Sequence, residues 1–161
     1  MTGRDNGNEA SMTGLSATLR WLAAPMLAAL FAASANAVEI GQIKIAQGQV
    51  TVERKGAALP GRVGMRLEAA DVLKTGADGS VGITMADNSL LSAGPNSILS
   101  LERFEFDPTS NQGRFDAELQ KGSLSVISGR MAKQSPDAMT VRTPSVILGV
   151  RGTEFVLSAD D

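Results

Sequence analysis

The chain has 161 residues and a formal net charge of −2, which is enough for one domain and lacks the basic excess on which nucleic-acid binding draws. It contains neither cysteine nor histidine. That excludes disulfides, a lipidated cysteine anchor, zinc sites built on those side chains and the commonest nucleophilic triads.

Residues 1–37 do not read as fold. Arg20 precedes an apolar run over residues 21–33, and Ser34-Ala35-Asn36-Ala37 follows it. A basic start, a short apolar core and an Ala-x-Ala end predict a secretory signal peptide cleaved before Val38. The apolar run is shorter than the ~20 residues of a spanning helix; an uncleaved anchor over residues 15–37 is the alternative. Arg4 is offset by Asp5 and Glu9, so Met12 is the expected true start. Residues 38–161 are then a single exported domain, periplasmic or secreted, that touches membrane only through its leader.

Beyond Ala37 apolar residues alternate with period two between glycine turns, which predicts an all-β domain. Ile43 and Ile45, then Val50 and Val52 after Gln47-Gly48, mark a first pair of short strands. Val63, Leu67 and Ala70 approach helical spacing, but Gly61 and Gly64 weaken a helix there. Asp78-Gly79, between Val72-Leu73 and Val81, is a hairpin signal. Val81, Ile83 and Met85 share one face of the next strand. Leu99 and Leu101 are odd-numbered while Phe104 and Phe106 are even, so a bulge is predicted at Glu102-Arg103. Residues 107–113 form a loop. Phe115, Ala117 and Leu119 alternate with charges as a half-buried strand, Leu124 and Val126 follow Gly122, and Met139 and Val141 mark another strand. Residues 129–137 read as the most mobile loop.

Asn88-Ser89-Leu90-Leu91-Ser92 recurs as Asn96-Ser97-Ile98-Leu99-Ser100. Equal spacing of short strands suits a β-solenoid-like roll, and two hairpin arms of a β-sandwich are the alternative. The roll is the favoured expectation.

The polar residues give little chemistry. Glu102, Glu105 and Asp107 cluster in sequence, but the predicted bulge and loop put them at a rim as solvated charge. Lys121 and Ser123 would make a nucleophilic dyad only with a buried, neutral lysine, which nothing predicts. Asp78, Asp87 and Asn88 sit in turns without the dense spacing of a calcium loop. No metal, no cofactor and no enzymatic activity are expected.

The stretch Thr143-Pro144-Ser145-Val146-Ile147-Leu148-Gly149-Val150-Arg151-Gly152-Thr153-Glu154-Phe155-Val156 places one arginine between two glycines inside apolar runs. It resembles the closing signature of the FecR family, TP-x-A-x-x-x-VRGT-x-F-x-V, and departs from it at Ser145-Val146. Gly64, Leu67, Asp71, Thr75 and Gly76 are similar to an earlier family segment, with Ala70 where glycine is usual. Met85-Ala86-Asp87-Asn88-Ser89 and Pro95-Asn96-Ser97 resemble two further positions. The resemblance spans residues 41–156. It marks Asp71, Thr75, Gly76, Gly149, Arg151, Gly152, Thr153 and Phe155 as signature residues, for which a structural role is expected. A buried arginine needs a partner, and Asp71 is the one expected for Arg151, with Glu154 second; the functional alternative is an anionic ligand.

The resemblance implies a periplasmic β module that relays the state of an outer-membrane transporter to a sigma-factor regulator. Such regulators carry a cytoplasmic segment and a membrane helix before this domain, where this chain is expected to carry an export signal. The expectation is therefore a free-standing, non-enzymatic binding and sensory module whose partner is an envelope protein or a glycan. A structural, self-assembling envelope module is the alternative. No residue marks an iron or siderophore site, and the oligomeric state is open.

Overall fold

Alternation becomes strand almost everywhere in the computed structural model, which describes residues 38–149 and 154–159. The expected leader (residues 1–37, with Met12) lies outside the described residues. The strands are β1 (Glu39–Gln47), β2 (Val50–Arg54), β3 (Ala57–Pro60), β4 (Arg66–Glu68), β5 (Val72–Thr75) and β6 (Ser80–Met85). They continue as β7 (Leu90–Ala93), β8 (Ile98–Phe106), β9 (Gly113–Ile127), β10 (Met139–Arg142), β11 (Ile147–Gly149) and β12 (Glu154–Ala159), with one short helix, α1 (Arg130–Gln134).

They form one curled sheet, a half-barrel, in the order β3-β2-β5-β8-β9-β7-β6-β1-β4. Neighbours on this path are antiparallel; β10 lies parallel to β9 and carries β11, and β12 lies antiparallel to β9. Two halves result. Half-sheet I contains β4, β1, β6, β7, the end of β9 and β12; half-sheet II contains β3, β2, β5, β8, the start of β9, β10 and β11.

Strand β9 spans both halves. Its start pairs with β8 and β10, and its end pairs with β7 and β12. The bend falls at Gly122, whose φ of 88° lies in the left-handed region that glycine tolerates. Phe115, Ala117 and Leu119 before the bend, and Leu124 and Val126 after it, are all buried in the core that the curl encloses.

Several turns follow their residues. Lys55-Gly56 closes the β2–β3 hairpin with φ of 51° and 81°, the type I′ pattern whose twist matches paired strands. Asp78 and Gly79 have no such φ. They turn through a Gly79 N–H to Gly76 carbonyl bond of 3.0 Å, and the chain crosses from half-sheet II to half-sheet I. The expected hairpin is therefore a crossover. Likewise β1 and β2 do not pair with one another. The predicted bulge is present at Glu102, where the β8–β9 register shifts between Leu101 and Arg103. Residues 62–73 hold turns at 63–64 and 69–70 around the short strand β4 and the start of β5, with no helix, and part of the expected mobile loop is α1, anchored by buried Met131 and Ala132.

The echo does not make stacked rungs. Its copies belong to β7 and β8, in different halves, each paired to β9. What repeats is a fastening. Asn88 and Asn96 turn the chain at φ of 67° and 50°, and the buried serine after each reaches β9 or its end. Ser97 Oγ accepts from the Ser123 amide at 3.0 Å, and Ser89 Oγ accepts from the Gly129 amide at 2.9 Å.

Ala70 holds φ at 69°, which for a residue with a Cβ costs roughly 1–2 kcal/mol. Glycine loses more entropy on folding, so Ala70→Gly is expected to stabilise the fold by a net of about 0.5–1 kcal/mol. A urea midpoint at or below that of the parent protein would contradict this.

Candidate functional site

The signature residues of the first motif hold the two half-sheets together. Asp71, fully buried at the start of β5, accepts from Arg54 Nε at 2.8 Å and Nη2 at 2.7 Å, a two-pronged pair. Its second oxygen also takes the Glu68 amide at 2.9 Å. Arg54, at the end of β2 in half-sheet II, further donates to Glu68 Oε1 and to the Arg66 carbonyl on β4 in half-sheet I. The hydrogen bonds that Arg54 donates to Asp71, then the charges of Asp71 and Glu68, hold the guanidinium above its ordinary pKa against the lowering effect of burial. Sequence reading missed Arg54, and no local motif announces it.

Thr75 donates to the Gly94 carbonyl at 2.6 Å and accepts from the Ser97 amide at 2.8 Å. Gly76 donates its amide to the Gln49 carbonyl and accepts from the Asn96 amide, and a Cβ on it would press within 3.0 Å of the Gln49 side chain. Phe155, on β12, packs half-buried against the core, and Gly149 ends β11 in open space. Arg151, Gly152 and Thr153 lie outside the described residues. So does the Arg151 end of the expected Arg151–Asp71 contact; the carboxylate of Asp71 is engaged by Arg54 and the Glu68 amide.

The acidic candidates do not converge. Glu102 pairs with Arg142, and Glu105 with Arg103. Asp107 accepts from the Ser110 hydroxyl and the Thr109 amide, which hold it below the usual carboxylate range. A cleft of about 590 Å³ opens beside this loop, but its arginines, Arg103 and Arg114, are bound to Glu105 and Asp116. Asp78 lies at the β5–β6 crossover. Asp87 is buried elsewhere and binds the Ser89 amide and hydroxyl and the Met131 amide, so it caps α1. Lys121 and Ser123 flank the bend at Gly122, with the Ser123 amide on Ser97. Among the described residues no group of three or more His, Cys, Asp or Glu could hold a metal ion.

The outer face of half-sheet I is different in kind. In the β1–β6 ladder the register slips between Ile43 and Ile45, so Ile43 is buried while Ile45 turns outward, 53% exposed. Ile45 stands opposite Gly82, where a Cβ would come within 3.1 Å of the Ile45 Cβ. Register then carries one row across the sheet: Ile45, Gly82, Ser92, Ser125, Val156. The adjoining row is Gln42, Thr84, Leu90, Ile127, Glu154. Leu90 and Ile127 are directly opposed and each 42% exposed, and Val156 is 68% exposed. The result is a shallow shelf of small hydroxyl side chains rimmed by aliphatic ones, with a groove of about 110 Å³ over Gly82. The alternation of Leu90 with Leu91, and of Ile127 with Val126, carried the signal in sequence: an aliphatic residue at an outward position.

A family model described as FecR protein matches residues 71–161. No curated protein and no solved structure matches the chain.

Proposed function

The chain belongs to the FecR family, a regulatory and sensor family of the cell envelope, and from that premise we propose that it is a non-catalytic binding domain that senses by docking a protein on the outer face of half-sheet I. The observation that carries this reading is the shelf of Ile45, Leu90, Ile127 and Val156 around Gly82, Ser92 and Ser125. Soluble domains leave contiguous aliphatic surface on a sheet where something covers it.

A protein segment fits this shelf better than a glycan. Sugar rings stack on exposed aromatic side chains, and the chain has no tyrosine. The described aromatics, Phe104, Phe106, Phe115 and Phe155, are buried or half-buried against the core. Aliphatic side chains of a partner would gain from leaving water here, at about 25 cal/mol per Å². Catalysis finds no support in the polar groups, which are spent on ion pairs and turns. Export to the periplasm or beyond accords with the leader read in residues 1–37. Among the described residues no helix is long and apolar enough to cross a membrane.

The test is photocrosslinking in the native envelope from probes placed at Leu90, at Ile127 and, on the opposite half-sheet, at Lys74. Capture of one identified membrane or periplasmic protein from the first two positions, and not from Lys74, is expected. Leu90→Glu with Ile127→Glu should then weaken binding of that protein at least tenfold while thermal unfolding stays within a few degrees. Equal capture from Lys74, or binding indifferent to both glutamates, would defeat the assignment.

A further inference from the structure

Sheet edges invite pairing, and this chain treats its edges unequally. The edge strand β4 is three residues long and flanked by the Arg66–Glu39 ion pair. The edge strand β3 carries Pro60, which has no N–H to offer. By contrast β12 runs for six residues, Glu154–Ala159, with no proline, glycine or lysine. Among the described residues it pairs only with β9, so its other edge is open.

We propose that β12 is a homodimerisation edge, on which a second copy of this chain adds its own β12 antiparallel about a two-fold axis at Val156. The register follows from the side chains. Residues directly opposed in an antiparallel pair share a face, so outward Glu154, Val156 and Ser158 must meet outward residues, and inward Phe155 and Leu157 must meet inward ones. With the axis at Val156, Val156 meets its own copy, Glu154 meets Ser158, and Phe155 meets Leu157. No like charges oppose one another. Moving the axis to Phe155 sets Glu154 against Val156, and moving it to Leu157 sets Val156 against Ser158; both lose the outward Val156–Val156 contact.

The pairing completes two surfaces. On the inner side, half-buried Phe155 gains the partner's Leu157. On the outer side, the shelf from Ile45 to Val156 continues without a break into its copy, because every strand between is in register. The dimer stands on the edge alone and does not depend on what the shelf binds.

The absence of cysteine makes the test clean. Val156→Cys places two thiols across the axis at the 4.5–5.5 Å Cβ spacing of opposed pairs, from which a short shift reaches disulfide distance. Ile147→Cys, on the exposed β11 edge of the other half, is the control. Mild oxidation should convert V156C to a covalent dimer and leave I147C a monomer. Light scattering on the unmodified protein should give twice the chain mass, and V156K, which opposes two charges at the axis, should raise the dissociation constant at least tenfold while leaving unchanged the melting temperature measured at dilution where both proteins are monomers. A monomer mass at every concentration, or preferential crosslinking of I147C, would overturn the proposal.

Discussion

Replacing Arg54 with alanine is expected to remove about 3–5 kcal/mol of folding stability, because it leaves the Asp71 carboxylate buried without its cation. Asp71 is fully shielded from solvent, and two of its contacts come from that one guanidinium. The loss therefore exceeds what an exposed ion pair would show, which is at most about 1 kcal/mol. Lys74–Glu53, with both side chains about 40% exposed, is the internal comparison: Lys74→Ala should stay within that smaller range. Arg54 also reaches Glu68 and the Arg66 carbonyl, so its removal frees β4 from β2 where the half-barrel curls back. Asp71→Asn keeps an acceptor for the Glu68 amide while removing the charge. In that background Arg54→Met should cost markedly less than it does alone. Chemical denaturation of the four proteins reads the coupling directly; additive losses would mean that the pair contributes nothing jointly.

This pair also shows where sequence stops being informative. Asp71 is visible as part of a motif, and its need for a cation follows from burial. Which cation serves depends on β2 and β5 lying side by side, and the sequence separation of Arg54 and Asp71 hides that. The same holds for Asp78-Gly79. Those residues report a turn, but a two-residue type I′ hairpin requires left-handed φ at both positions, which Lys55-Gly56 adopts and Asp78-Gly79 does not. Local chemistry specifies that the chain reverses; it does not specify the half-sheet it enters. The bulge at Glu102 was legible because a phase change in apolar residues is itself a statement about side-chain direction. The slip beyond Ile43 was hidden because Ile45 is apolar on either face. As a result the Ile45 corner of the shelf could not be separated from the core by pattern alone, whereas Leu90 and Ile127 stand out as aliphatic residues at outward positions. The helix α1 was masked by length, since five residues are too few for periodicity to show.

Gly122→Ala is the second change of large expected effect, at about 2–5 kcal/mol. Two terms act together. The first is conformational: φ at 88° costs a residue with a Cβ roughly 1–2 kcal/mol. The second is steric. A Cβ at this position would lie 2.2 Å from Ser97 Oγ and 2.6 Å from Ser97 Cα, and the latter is backbone that cannot rotate away. Forcing such contacts costs about 1–3 kcal/mol through displacement of the neighbouring chain. Gly56 separates the terms, because its φ is 81° but nothing lies within 4 Å of its added Cβ. Gly56→Ala should therefore show the conformational cost alone, and the difference between the two variants measures how tightly Ser97 is held against the bend. That difference matters for the whole fold. The Ser97 hydroxyl accepts from the Ser123 amide immediately after Gly122, while the Ser97 amide is held by Thr75. A displaced Ser97 would loosen the junction of β5, β8 and β9 and the passage of β9 from one half-sheet to the other. Equal losses in the two alanine variants would show that the bend tolerates a side chain, and that Ser97 closes over Gly122 without requiring it.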